Sequence, residues 1–304
     1  MGIFYSLLII LVMYTIPLIG LFAWVVLPLP ILFYRLKIGR AGSAVIMAAN
    51  MTILIILSGS AAFNILYFGS LLITGFLLGE CIEKHLPVEK VMLFTCLGLI
   101  GLFCASILLY SASRSQGIDQ VISGYTTRYE AVANRLFSES AQLYPDVDLD
   151  RQLFEEASRL FMLTFPGIIL SIYMTMALLN VLFIRRLLNK KGIVVQTLEN
   201  LSRWRAPDKL VLALIGLSVL LFLPIGGLKI ISINCLILLS LVYFFQGMAV
   251  VSFFFKKKNV PFAIKSFFYI LIAIQPIFLI IVVGCGLFDT WINFRRLDAD
   301  TTAQ

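Results

Sequence analysis

For most of its length this chain shows neither strict alternation nor a single apolar face; apolar residues run on for about twenty positions at a time, the length a helix needs to cross a bilayer. Such runs lie at 41–58, 62–79, 91–111, 161–184, 209–227, 230–255 and 261–288, and 3–34 is apolar throughout. Within 3–34, Pro17 and the pair Pro28 and Pro30 forbid one straight helix, leaving two short spans or one span plus a re-entrant piece. The pattern predicts an all-α polytopic transmembrane bundle of eight or nine spans, one integral membrane domain over 1–304. The first 16 residues have no basic flank and read as a retained first span.

One long segment, 112–160, breaks this pattern. Ile118, Ile122, Tyr125, Tyr129, Val132 and Leu136 recur every three or four residues, as on one face of an amphipathic helix. The stretch YPDVDLD then interrupts it, and Asp148 or Asp150 can cap the next helix. The expectation is a helical hairpin inserted at 112–160, outside the membrane.

Composition agrees with the run lengths: 61% of the 304 residues are hydrophobic and 13% charged, with a mean hydropathy of +1.00. The net charge of +8 does not imply nucleic acid, because the cations stand at the ends of apolar runs and set orientation instead. Segment 112–160 has five arginines against eight acids, net −3, whereas 185–209 has seven cations against two acids, net +5. The first is therefore expected outside and the second in the cytoplasm, with Lys256, Lys257, Lys258 and Lys265 and the N-terminus also cytoplasmic. This is the orientation expected of a multi-pass protein in a cytoplasmic membrane. Counting from these loops puts the C-terminal tail outside, unless the Pro276 region turns the last segment back.

Candidate chemistry is sparse. Every Lys, Arg, Asp and Glu falls at the end of a run or in a loop, which disfavours a proton relay. No phosphate-binding GxxxxGK[ST] loop occurs. The sole histidine, His85, stands in a short loop; Asp146, Asp148 and Asp150 lack the glycine and distal glutamate of a calcium loop; the five cysteines form no CxxC pair. No metal, cofactor or catalytic residue is expected, and an enzyme acting on lipid is the lesser alternative. What remains are uncharged polar groups in apolar runs: Asn50, Thr52, Asn64, Thr74, Asn180, Asn234, Gln246 and Gln275. Buried amides need partners, so they are expected to bridge helices or line a cavity. Asn180, Asn234, Gln246 and Gln275, with Gly247 admitting a close approach beside Gln246, are the candidate ligand-binding residues. Asp289 is expected at a solvated rim, paired with Arg295 or Arg296. The spacing of Gly75 and Gly79 is read as close helix packing within the bundle.

Four stretches in order, TIPLIGLFAWVVLPLPILFYRLKIGRAG, LLNVLFIRRL, VYFFQGMAVVSFFF and GLFDTWINFRR, resemble the YybS-like family of predicted bacterial membrane proteins, a domain of unknown function. The likeness covers nearly the whole chain and implies a class rather than a mechanism. The layout is also similar to the substrate-binding S components of energy-coupling-factor transporters, from which this chain departs in its outer insertion and extra C-terminal spans. Together these lead to a non-catalytic small-molecule-binding or transport-related subunit in the lipid bilayer, served by a partner protein on its basic face. The alternative is a structural protein or scaffold presenting its outer hairpin.

Overall fold

The computed structural model describes residues 1–58, 62–115, 117–145, 150–190 and 201–295. Among them every regular element is helical: α1 (Gly2–Thr15), α2 (Pro17–Val26), α3 (Pro28–Ser58), α4 (Ala62–Glu83), α5 (Val88–Arg114), α6 (Ile118–Leu143), α7 (Arg151–Lys190), α8 (Lys209–Leu220), α9 (Gly226–Lys257), α10 (Phe262–Ile274) and α11 (Pro276–Ile292), with a 3-10 turn at Leu201–Arg203. Five helical segments are long and apolar enough to cross a membrane: Phe22–Ile56, Ile65–Glu83, Val88–Arg114, Arg151–Lys190 and Gly226–Lys257. A sixth is reached only if α10 and α11, bent by 103° at their junction, count as one. The chain forms two compact units, 1–163 with 173–197, and 164–172 with 198–304.

In the first unit the chain turns at Ile16 and at Gly39. Ile16, before Pro17, is non-helical, and α1 and α2 then lie antiparallel, since Leu8 and Val26 share one small cavity with Val12 and Ala23. Leu27 keeps right-handed helical angles, so the chain from Pro17 to residue 38 is one helix in effect, bent at its prolines. At Gly39, φ 81° and ψ −173°, it reverses, a conformation that a side chain would disfavour. The reversal shows in the contacts with α4. Before Gly39 the two helices run in the same direction, with Pro28 against Gly75 and Arg35 against Gly79. After it they run antiparallel, with Arg40 beside Glu80 and Met51 against Gly69. Gly75 and Gly79 thus serve packing inside one chain, because a Cβ there would overlap Pro28 O or the Arg35 side chain. Ile10, Leu27, Ile31, Ile46, Leu54, Phe68, Leu71, Leu72 and Met176 form the core.

The polar insertion is also helical. Asp150 Oδ1 accepts the backbone N–H groups of Gln152 and Leu153, at 2.8 and 3.2 Å, and caps α7. Asp146 and Asp148 lie outside the described residues. Tyr129 donates to Ser158 O (2.9 Å) and stacks on Phe161, while Phe137 meets Phe154, so α6 and the start of α7 touch through aromatic side chains.

In the second unit, Lys256 near the end of α9 donates to Ser202 Oγ (3.1 Å), and Arg295, just past α11, donates to Ser202 O (2.9 Å). The ends of α9 and α11 therefore lie at one end of the unit. As α10 starts from that same end, α10 leads inward and α11 returns. Gly247 and Gly286 bring α9 and α11 together, since a Cβ on either would overlap the backbone of the other helix.

Candidate functional site

The residues with the least water and the most unmet hydrogen-bonding capacity gather where α9, α11 and the segment 201–208 meet. That segment is a 3-10 turn followed by non-helical chain up to the start of α8, so its backbone groups lack the internal bonds of a helix. Side chains supply them. Arg295 Nη1 donates to the carbonyls of Ser202 and Trp204, both at 2.9 Å, and Gln246 Oε1 accepts the N–H of Ala206 at 3.2 Å. Arg205 Nη2 in turn donates to Thr290 O at 2.5 Å. Irregular backbone inside a membrane protein persists only when its polar groups are met in this way.

The two side chains that satisfy the segment are themselves joined by a carboxylate. Arg295 Nη2 and Gln246 Nε2 both donate to Asp289 Oδ2, at 2.7 and 3.2 Å. Asp289 is only 1% exposed and Gln246 fully buried. The expectation of a solvated rim is overturned: Asp289 closes the apolar run of α11, but 201–208 and Arg295 fold over it and exclude water. Arg296 lies outside the described residues. Five buried side-chain atoms around this centre have no partner among the described residues, namely Asp289 Oδ1, Thr290 Oγ1, Arg205 Nε, Arg295 Nε and Tyr243 Oη.

The other amides meet breaks too. Asn180 Nδ2 donates to Val25 O (2.7 Å), a carbonyl in the last turn of α2 beside the Pro28 and Pro30 bend, and to Met176 O (2.9 Å). Asn234 Oδ1 accepts the N–H of Gly167 at 2.6 Å, next to Pro166 inside α7. Each of these two amides bonds backbone beside a proline rather than another amide. At Gly247 the close approach is made by Val282 of α11 rather than leaving room for a ligand. Gln275 is exposed at the α10–α11 junction, where its backbone accepts from Phe278 and Leu279. Asn50, Thr52 and Thr74 bond back to their own helices, and the side chain of Asn64 lies outside the described residues.

Sequence reasoning misses Arg35. From its position it closes an apolar run at the surface; in the structure it is 2% exposed, with Nη2 2.7 Å from Glu80 and also bonded to Glu83. Glu80 and Glu83, three residues apart on one face of α4, are the available signal. Among the described residues no three His, Cys, Asp or Glu side chains gather as a metal site needs.

Comparison with known proteins agrees with this architecture. Residues 3–290 match the family described as "Predicted membrane protein (DUF2232)". The chain belongs to this family. A relative is the "Uncharacterized protein YybS" of Bacillus subtilis (strain 168), 21% identical over 298 residues, which cover 96% of this chain and 94% of that protein. No solved structure matches. The protein is thus a multi-pass helical membrane protein, and neither comparison carries an activity.

Proposed function

We propose that this protein is a non-catalytic, transport-related membrane subunit whose second unit receives a small polar ligand at the Gln246–Asp289–Arg295 centre. The observation that carries this reading is the sealed ion pair with unused bonding capacity on both partners, at Asp289 Oδ1 and Arg295 Nε. Buried ion pairs seldom add net stability, and ionisable groups held inside membrane proteins commonly serve a ligand path. Discontinuous helices frame such sites in transporters, and the centre lies between the non-helical 201–208 and the broken α10–α11 pair. A group able both to donate and to accept, such as an amide or hydroxyl, suits the unmet atoms. The non-catalytic character is part of the proposal, since Asp289 is tied to Arg295 and Gln246 rather than to a nucleophile.

The contact register within each unit, taken with the charge of the connecting segments, supports a topology of eight crossings plus one re-entrant pair. α1, Pro17 to residue 38, 40–58, α4, α5, α7, α8 with its non-helical lead, and α9 cross in turn; α10 and α11 enter and return. The charge bias assigns both termini and the basic 185–209 to the bacterial cytoplasm, and 112–160 to the outside as a helical hairpin. A second reading, a scaffold that presents this hairpin, draws on the exposed apolar face of α6, where Ile122, Val132 and Leu136 are each about half exposed.

Mass spectrometry of the intact protein released from mild detergent tests the main reading. A small molecule retained by the wild type and lost from Asp289→Asn that still purifies as a folded protein, though with a lower unfolding temperature, is the expected result. A stoichiometric protein partner with no small molecule would favour the scaffold, and retention of the molecule by Asp289→Asn would remove the centre from the binding site.

A further inference from the structure

The elbow between α5 and α6 holds a feature independent of the polar centre. α5 ends at Arg114, Ser115 takes left-handed angles with φ 51°, and Gly117 precedes α6. Helical spacing then sets two faces against each other. Tyr110 and Arg114, four residues apart, look across from Gln120, Gly124 and Arg128, again four apart. Together with Tyr125 they line a cavity of about 300 Å³ whose floor is the buried Val121.

The lining carries two cations and no anion. Neither Arg114 nor Arg128 forms an ion pair among the described residues, whereas Arg135 and Arg151 bind Glu139 and Glu155 one turn along their own helices. Arg114 also lies over the Tyr110 ring, 5.9 Å from its centroid, which holds the guanidinium while leaving its N–H edge free. Gly124 borders open space, since a Cβ there would meet nothing within 4 Å. Beside it the surface turns apolar: Leu108 and Leu109 at the end of α5, and Ile118 and Ile122 at the start of α6, are all exposed.

We infer that this elbow binds the phosphate group of an anionic amphiphile, with Arg114 and Arg128 clamping the phosphate oxygens and the exposed leucines and isoleucines accommodating the chain. A single arginine at the end of an apolar helix would merely reach the headgroup layer. Two arginines from different helices, converging over a cavity with no carboxylate in its lining, instead match the planar, multidentate recognition of phosphate. The end of a long apolar helix is also where lipid phosphates lie.

The test is calorimetric titration of the full chain, in an uncharged maltoside, with dihexanoylphosphatidic acid, inorganic phosphate and dihexanoylphosphatidylcholine in turn. Saturable binding of the phosphatidic acid is expected, weakened roughly tenfold or more in Arg114→Gln/Arg128→Gln. Gly124→Leu should weaken it similarly by filling the cavity while removing no charge, and as its side chain meets open space the variant should fold. Inorganic phosphate competing at the same site would identify the free anion as a sufficient ligand; phosphate without effect would identify the lipid headgroup as the source. Equal binding of the phosphatidylcholine, no saturable binding of either anion, or wild-type affinity in both variants would overturn the assignment.

Discussion

Arg35 in the first unit and Arg295 in the second are equally buried, 2% and 3% exposed, yet their charges are met in different ways. Arg35 faces two carboxylates at the end of α4, and the cluster opens to water: the Glu83 side chain is 53% exposed, and Glu80 is shared with Arg40 and Lys84. Arg295 has one carboxylate, the side chains of the pair are 0% and 1% exposed, and its remaining bonds go to the backbone of 201–208. The first is a rim cluster with spare charges, the second a sealed link on which a non-helical segment depends. Loss of one partner should therefore be tolerated in the first and not in the second.

Arg295→Met carries the largest expected effect, a loss of about 3–5 kcal/mol, because it strands the Asp289 charge without water. Adding Asp289→Leu should restore part of that loss by removing the stranded charge, although Ser202 and Trp204 would still lack donors. Arg35→Met should cost less, about 1.5–3 kcal/mol, since Glu83 can turn to solvent and Glu80 keeps two other cations. Denaturant titration in detergent measures all three. An Arg35 variant as damaged as the Arg295 variant would end the distinction between the two clusters.

The same contrast shows what can be read from sequence. The apolar runs, their proline breaks and the helical character of 112–160 are legible because each leaves a local mark of length, period or missing donor. Gln246 and Asp289 are legible as polar residues in apolar surroundings. What covers them is not, because the cover comes from 201–206 and from Arg295, and an irregular segment held by distant side chains has no period of its own. Asp289, near the end of its run, therefore reads as solvated. Gly39 is hidden for a different reason: between Ile38 and Arg40 it looks like part of a basic stop, and only its φ of 81° shows that the chain reverses there. The need of the amides for partners follows from their apolar surroundings, but those partners are carbonyl and N–H groups beside breaks, which sequence spacing does not reveal.

A middle-sized effect should separate the glycines of the second unit. Gly286→Ala would force α11 from the Tyr243 carbonyl and the Gly247 N–H, at about 1–3 kcal/mol for an overpacked contact. At Gly284, two residues earlier on the same helix, an added Cβ would meet nothing within 4 Å, so Gly284→Ala should leave stability unchanged or raise it by up to about 1 kcal/mol. Melting temperatures of the two variants in one detergent decide it, and equal values would mean that the Gly247–Gly286 contact does not hold α9 to α11.

The smallest expected effect belongs to Gln275. Its sequence context places it in the bundle interior with the other amides; the structure instead leaves it exposed at the elbow, flanked by the exposed Ile274 and Ile277. The elbow exists because Pro276 starts a new helix, and the Gln275 backbone, through its carbonyl, already accepts the Phe278 N–H at 3.1 Å and the Leu279 N–H at 3.4 Å. Replacing the side chain removes none of these bonds. Gln275→Leu should thus change unfolding free energy by no more than about 0.5 kcal/mol, as for other exposed positions away from specific contacts, whereas Gln246→Leu, which strands the Ala206 N–H and removes one donor from Asp289, should cost about 1–3 kcal/mol. Measuring the two side by side orders the amides by what they touch. A Gln275 variant that lost as much as the Gln246 variant would show that another surface covers the elbow in the membrane and that its amide is bonded there.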